Sequence, residues 1–346
     1  MGLHDEIFEQ PEVIRRLLQG QRSQVQEAAR LILRHDIRYA FLAARGTSDN
    51  AGRYAGYLWG AHNSLAVALA LPSLFTYYGT PPSLANSLVV SISQSGKSPD
   101  IISVLQEGRR QGVPTMAITN APDSPLAKAA DLVIDIMAGE EKAVAASKTY
   151  TAQLMAVAMI SAALETDRPE RWDDLEQAPE WMEAVLKLDD DLAIQAQRYR
   201  YMEQCVVIGR GFNYATAFEW SLKLKELTYT IADPYSSADF LHGPLALVTR
   251  GFPVLAVAPS GAVFETVRDL LVKLRDQFHA ELVVISDDPK VLQFAQTPIP
   301  LPAGIPEWIS PLITILPAQL FVYHLTRARG YSTETPRSIH KVTETN

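Results

Sequence analysis

SLVVSISQSGKSP, residues 87–99, has the pattern of one complete strand–turn–helix start. Ser87 to Ser93 (SLVVSIS) reads as a strand. Gln94 to Ser98 is a turn of glycine and hydroxyl residues. Ser98 is a good N-cap and Pro99 a good first helical residue, so a helix begins there. Before this unit, Ile37 to Ala44 (IRYAFLAA) reads as another buried strand that runs into Arg45-Gly46-Thr47-Ser48, and helical patterning resumes near Asp49. After it, Val113 to Thr119 is a third strand ending at Asn120, and Leu132 to Ile136 a fourth. Strands alternating with helices predict an α/β fold built on a doubly wound parallel sheet.

Residues 1–34 form an N-terminal helical segment in which Pro11 suits a first turn and Gly20 breaks two helices. Residues 165–200 are acidic, helical in pattern and interrupted by Pro169 and Pro179. The domain boundary is expected here, giving a first domain over 35–180 and a second over 181–330. Beyond it the strand series restarts at Cys205. Arg45-Gly46 recurs as Arg210-Gly211 and Ser95-Gly96 as Ser260-Gly261 at one and the same interval, and Ile118-Thr119-Asn120 recurs as Ile285-Ser286-Asp287 close to it. That pattern predicts an internal duplication. Residues 304–329 are the last long helical region, and the polar tail, 331–346, has too little apolar surface to fold alone and is expected to close over a site.

The chain has 346 residues, 47% hydrophobic and 20% charged, with a net charge of −8. An acidic chain of this kind excludes a general affinity for nucleic acid or anionic membrane, so any anionic ligand needs a local site. Cys205, the single cysteine, opens the strand-like run CVVIG and is expected to be a core residue; no disulfide can form within the chain. The N-terminus MGLHDEIFEQPEVIRRLL lacks the basic start and apolar centre of a signal peptide, which predicts a cytoplasmic protein. The apolar runs 62–76 and 311–323 contain Pro72, Ser73, Pro317 and Gln319, and no membrane span of about 20 residues is expected.

Gly46-Thr47-Ser48 and Ser93-Gln94-Ser95-Gly96-Lys97-Ser98 lie where the carboxyl ends of strands meet helix starts. Free amides and the helix dipole favour an anion there, and hydroxyls add donors without charge, which fits a phosphate monoester. Serine-rich caps also serve purely structural ends. Two other motifs fail: Gly96-Lys97-Ser98 lacks the P-loop glycine, because position 91 is serine, and Gly209-Arg210-Gly211 meets Tyr214 where a dinucleotide fingerprint needs glycine. His35, His62, His279 and His324 have no acidic or histidine partner at ligand spacing, so neither a metal nor another cofactor is expected.

Val207 to Leu247 (VIGRGFNYATAFEWSLKLKELTYTIADPYSSADFLHGPLAL) reads as a strand, a glycine turn, a helix and an irregular segment ending near His242. Glu219, Lys223 and Glu226 share one helical face at i, i+4 and i+7, and a turn could fold His242 over it. Acid, base and cation together suggest proton transfer. An i, i+4 ion pair on a solvated face, worth about 0.3–0.5 kcal/mol, reads the same way in a sequence.

Thr47-Ser48, Ser91 to Ser98 (SISQSGKS), Val144 to Leu154 (VAASKTYTAQL) and Glu219 to Leu247 together resemble the sugar isomerase (SIS) family, in particular the isomerase half of the glutamine–fructose-6-phosphate aminotransferases, and the SIS-type glucosamine-6-phosphate deaminases. The resemblance covers about residues 30 to 346 and implies two tandem SIS domains. It implies that a sugar phosphate is held by Ser93, Gln94, Ser95 and Ser98 with help from Ser48, and that backbone near Val144 meets the sugar. It implies further that Glu226 shuttles the proton with Lys223 and Glu219 beside it, and that Lys341 forms a Schiff base with the ketose. His242 is implied to open the ring, contributed by the neighbouring subunit of a homodimer with a shared active site.

The chain departs from the aminotransferases in three places. It begins MGLH without an N-terminal cysteine nucleophile, Ala146 stands where they have a serine, and the tail reads His340-Lys341-Val342-Thr343. Glutamine-dependent amination is therefore not expected without a partner. The implied activity is deamination of glucosamine 6-phosphate, with aldose–ketose isomerisation, fructosamine-phosphate deglycation or non-catalytic sugar-phosphate sensing as alternatives.

Overall fold

The computed structural model describes residues 2–339 and residue 341; His340, Val342 and Thr343 of the tail motif lie outside them. The chain forms two compact units. One is built from Glu9–Glu141 and Ala146–Gln177 with Lys341, the other from residues 2–8, Lys142–Ala145 and Ala178–Ile339.

The first unit carries five parallel strands, β1 (Tyr39–Ala43), β2 (Ala66–Leu69), β3 (Ser87–Ser93), β4 (Thr115–Thr119) and β5 (Leu132–Asp135), in the order β2-β1-β3-β4-β5. Every residue of β3 is buried, which explains its uninterrupted uncharged run. Helices Gln10–Gly20, Arg22–Arg34 and Thr47–Asn63 pack on the helix Lys148–Leu164, which is buried from Lys148 through Ala162 and is apolar on all sides for that reason.

The second unit repeats the plan with β6 (Gln204–Gly209), β7 (Ile231–Ser236), β8 (Pro253–Val257), β9 (Glu281–Ser286) and β10 (Thr297–Pro300), all parallel in the order β10-β9-β8-β6-β7. Read from β7, this is the strand order of the first sheet. The duplication seen in the turn dipeptides is therefore a duplication of topology. Cys205 lies on β6 and is buried, as its strand context predicts.

One expectation needs correction. The segment before His242 is not irregular throughout, because it contains β7, paired along its whole length with β6. The last long helical region is the helix Ser310–Ala328, which carries Pro317 inside it. Glu307–Ala328 is long and apolar enough to cross a bilayer, but it is mostly buried inside the fold, which makes it the core helix of the second unit.

Candidate active site

In the second unit the helix Tyr214–Lys223 does not simply continue through Glu226. It widens into a five-residue π-helical turn, Leu224–Thr228, a rare local form that often marks functional positions. The turn brings the three charges into one group, with Lys223 Nζ 2.6 Å from Glu226 Oε2 and 3.3 Å from Glu219 Oε1. Glu219 is fully buried and Lys223 nearly so, whereas the Glu226 side chain keeps 23% of its surface. This is no solvated helix face. Burial opposes the charge on Lys223, but the two carboxylates outweigh it and hold the ammonium well above the ordinary lysine range. Two carboxylates share one buried cation, and only Glu226 reaches out.

The π-turn lies at the amino ends of the strands. Arg329 donates to the carbonyls of Thr228 and of Met202, which precedes β6, and Thr230 Oγ1 donates to the same Met202 carbonyl. From there β7 carries the chain to the opposite edge of the sheet, where the short helix Ser237–Leu241 ends at His242. His242 is exposed, and its backbone amide donates to the Asp239 carbonyl. Six residues of β7 at about 3.3 Å each separate Glu226 from His242 by roughly 20 Å of strand. The expectation that a turn folds His242 over its own stripe is not met, because a strand replaces the turn.

In the first unit the turn after β3 is built around Gly96. Its φ of 63° suits glycine, and a Cβ there would lie 2.1 Å from Ser124 Oγ. Ser93 Oγ accepts the Gly96 amide at 3.1 Å, which closes the turn. Ser98 stands in extended conformation before the helix Pro99–Arg110, and its hydroxyl caps no amide of that helix. Asp100, buried in the first helical turn, is neutralised by Arg45, whose Nε and Nη2 both lie 2.8 Å from Oδ2. Ser48 is buried, its Oγ accepting from Gln153 Nε2 at 3.0 Å. Gln94, Ser95 and Ser98 are partly exposed.

Two buried carboxylates that periodicity does not reveal fix backbone next to the candidate residues. Glu141 is buried and accepts the amides of Ser147 (2.9 Å) and Thr149 (3.1 Å) at the start of the helix Lys148–Leu164, and Lys341 Nζ lies 2.7 Å from its other oxygen. The tail lysine is thus docked in the first unit. In the second unit, buried Glu6 accepts the amides of Lys142 and Ala143, fixing the strand of backbone that leads into Val144. A charge at position 6 gives no local hint of partners 136 residues away.

The histidines also differ from expectation. His62 Nδ1 lies 3.6 Å from Glu165 in the first unit, and His324 Nε2 lies 2.7 Å from Asp189 in the second. Both acidic partners are remote in sequence, so ligand spacing could not show them.

Fold and site together define a tandem α/β protein with a hydroxyl-rich turn at a helix start and a buried Glu–Lys–Glu group on a π-turn. The SIS domain family matches residues 35–163 and 200–329, and the chain belongs to that family. It is 31% identical over 342 residues to the glutamine–fructose-6-phosphate aminotransferase of Pyrococcus horikoshii, covering 97% of this chain and 56% of that protein. The corresponding enzyme of Gloeobacter violaceus is 33% identical over 353 residues, with 97% and 57% covered. The chain thus spans little more than half the length of these relatives. Among solved structures, the C-terminal domain of glucosamine–fructose-6-phosphate aminotransferase from Francisella tularensis superposes with a TM-score of 0.85 at 28% identity, covering 96% of this chain and 98% of that one.

Proposed function

We propose that this protein is a cytoplasmic enzyme that acts on a 6-phosphorylated hexose or hexosamine and moves a proton between C1 and C2 of its open chain. The reaction we assign is deamination of glucosamine 6-phosphate to fructose 6-phosphate and ammonia. The observation that carries this is the buried Glu219–Lys223–Glu226 group, in which a carboxylate that reaches solvent is backed by a cation held in its charged form. Such a pair suits a base working beside an enolate-like intermediate.

In this mechanism Ser93, Gln94, Ser95 and Ser98, with Ser48, take the phosphate, and backbone at Val144 meets the sugar. His242 opens the ring. Glu226 removes the proton from C2 and returns it to C1, with Lys223 offsetting the charge that develops on the neighbouring oxygen. Water adds to the resulting C2 imine and ammonia leaves, so one water is consumed per sugar. Where Lys341 rather than water attacks that imine, ammonia leaves as the lysine Schiff base forms, and the same single water then hydrolyses the Schiff base to fructose 6-phosphate and free lysine.

A coupled assay of ammonia release and fructose 6-phosphate formation from glucosamine 6-phosphate, without glutamine, tests the assignment. Equal yields of the two products are expected. Turnover confined to an aldose–ketose pair would replace deamination with isomerisation, and tight phosphosugar binding without any turnover would leave a sensor.

A homodimer with a shared site is part of the proposal, supported by the strand that holds His242 away from Glu226 of its own chain. Mixing inactive Glu226→Gln and His242→Asn proteins would regenerate one intact site per mixed dimer, or about a quarter of wild-type activity after random exchange. No recovery after demonstrated subunit exchange would place both groups in one chain.

A further inference from the structure

We infer that His4, Asp189 and His324 of the second unit form a binding site for a divalent transition-metal ion of the zinc type. The three come from separate elements, the helix Leu3–Phe8, the first residue of the helix Asp189–Ala196 and the core helix Ser310–Ala328. They take no part in the proposed sugar chemistry. His4 Nε2 lies 2.9 Å from Asp189 Oδ2 and His324 Nε2 lies 2.7 Å from Oδ1, and among the described residues these are the one group of three histidine, cysteine or acidic side chains whose ligand atoms all lie within 4.8 Å of one another. Two imidazole nitrogens and one carboxylate are therefore gathered in one small space.

Neighbouring aromatic rings hold both imidazoles: His4 makes tilted contacts with Phe8 at 4.7 Å and Tyr323 at 4.8 Å, and His324 meets Tyr323 edge-on at 5.1 Å. The residues are partly buried, with 34%, 22% and 11% of the side chains of His4, Asp189 and His324 exposed. They line a depression of about 530 Å³ that Asp190 and Gln197 also border. Water can therefore complete a tetrahedral shell behind three protein ligands. Two nitrogens and one oxygen suit zinc, cobalt or nickel, whereas magnesium and calcium prefer all-oxygen sites.

Without an ion, each Nε2–H donates to one carboxylate oxygen. Binding moves each ring proton to Nδ1 and draws the three ligand atoms to about 2.0–2.2 Å from the ion, a contraction that two side chains on the depression's rim can make. The ion would then tie the N-terminal helix to the core helix, so that metal binding and folding of residues 3–8 are linked.

The test uses the full-length, untagged protein, stripped with chelator and desalted. Zinc titrated by calorimetry, and cobalt followed by its visible absorption, should bind as a single equivalent. His4→Gln and Asp189→Asn should each weaken zinc by at least about a hundredfold, since altering even an outer partner of a ligand costs about 10–100-fold. Zinc should also raise the melting temperature of the wild type and not of His4→Gln. No binding at about a hundred micromolar zinc, or binding unchanged in both variants, would overturn the inference and leave a hydrogen-bonded His–Asp–His clasp.

Discussion

The two units share one topology and differ at one turn. In the first, the turn after β3 closes on its own serine, the nearby Asp100 is paired with Arg45, and Ser95 and Ser98 are partly exposed. In the second, the equivalent turn after β8 is already filled. The Ser260 amide donates to Asp287 Oδ1 at 2.7 Å and the Ala262 amide to Glu307 Oε2 at 2.8 Å, and a Cβ on Gly261 would lie 2.2 Å from the Glu307 carboxyl carbon. The duplicated scaffold thus keeps two turns of this kind, and in the second unit the protein's own carboxylates accept the turn amides. The second unit has instead put its buried charge on the opposite edge of its sheet, in the π-turn.

The largest break in this comparison should come from Glu226→Gln. It should lower kcat by about 10²–10⁴ while sugar-phosphate binding is kept, because only proton transfer is removed. Deuterium exchange at C2 is the direct measure, and normal exchange in the variant would place the base elsewhere. Next in size is the pair of turn variants. Ser98→Ala should raise KM by roughly tenfold to a hundredfold, as the loss of one hydrogen bond to a charged group costs about 1.5–3 kcal/mol, while Ser260→Ala should leave KM unchanged. Equal effects at both positions would mean that both turns take substrate.

The smallest effect distinguishes the units by pH. In the first, burial and then Arg171 depress His62 against the opposing Glu165. An unfolded histidine titrates near 6.5, so the unfolded chain binds more protons below that pH and the first unit loses stability on acidification. In the second, Lys223 is raised above the unfolded value of about 10.4, so its contribution is complete below that pH and is lost as pH rises through the folded pKa. Melting curves should show the acid slope flattened by His62→Gln and the alkaline one unchanged by it. An acid slope that survives the substitution would remove His62 as its source.

Much of this was legible in residues 87–99 and their echo in the second half, since strand and helix periods and turn chemistry are local properties. The edge strands β2 and β7 were not, although β5, at the other edge of the first sheet, was. In β2 the exposed pattern hides the pairing, and β7 reads IADPYS, whose Asp233 and Pro234 are poor strand residues that only pairing with β6 makes extended.

From its sequence alone the chain determined two α/β repeats, the hydroxyl turns and the spacing that sets Glu219, Lys223 and Glu226 near one another. Tertiary structure decided the rest: that the stripe is buried, that β7 separates His242 from Glu226, and that Glu6, Glu141 and Asp189 meet partners far along the chain. Periodicity records which face of an element is apolar. The partner of a buried charge is chosen by whichever distant element packs there, and no local pattern carries that information.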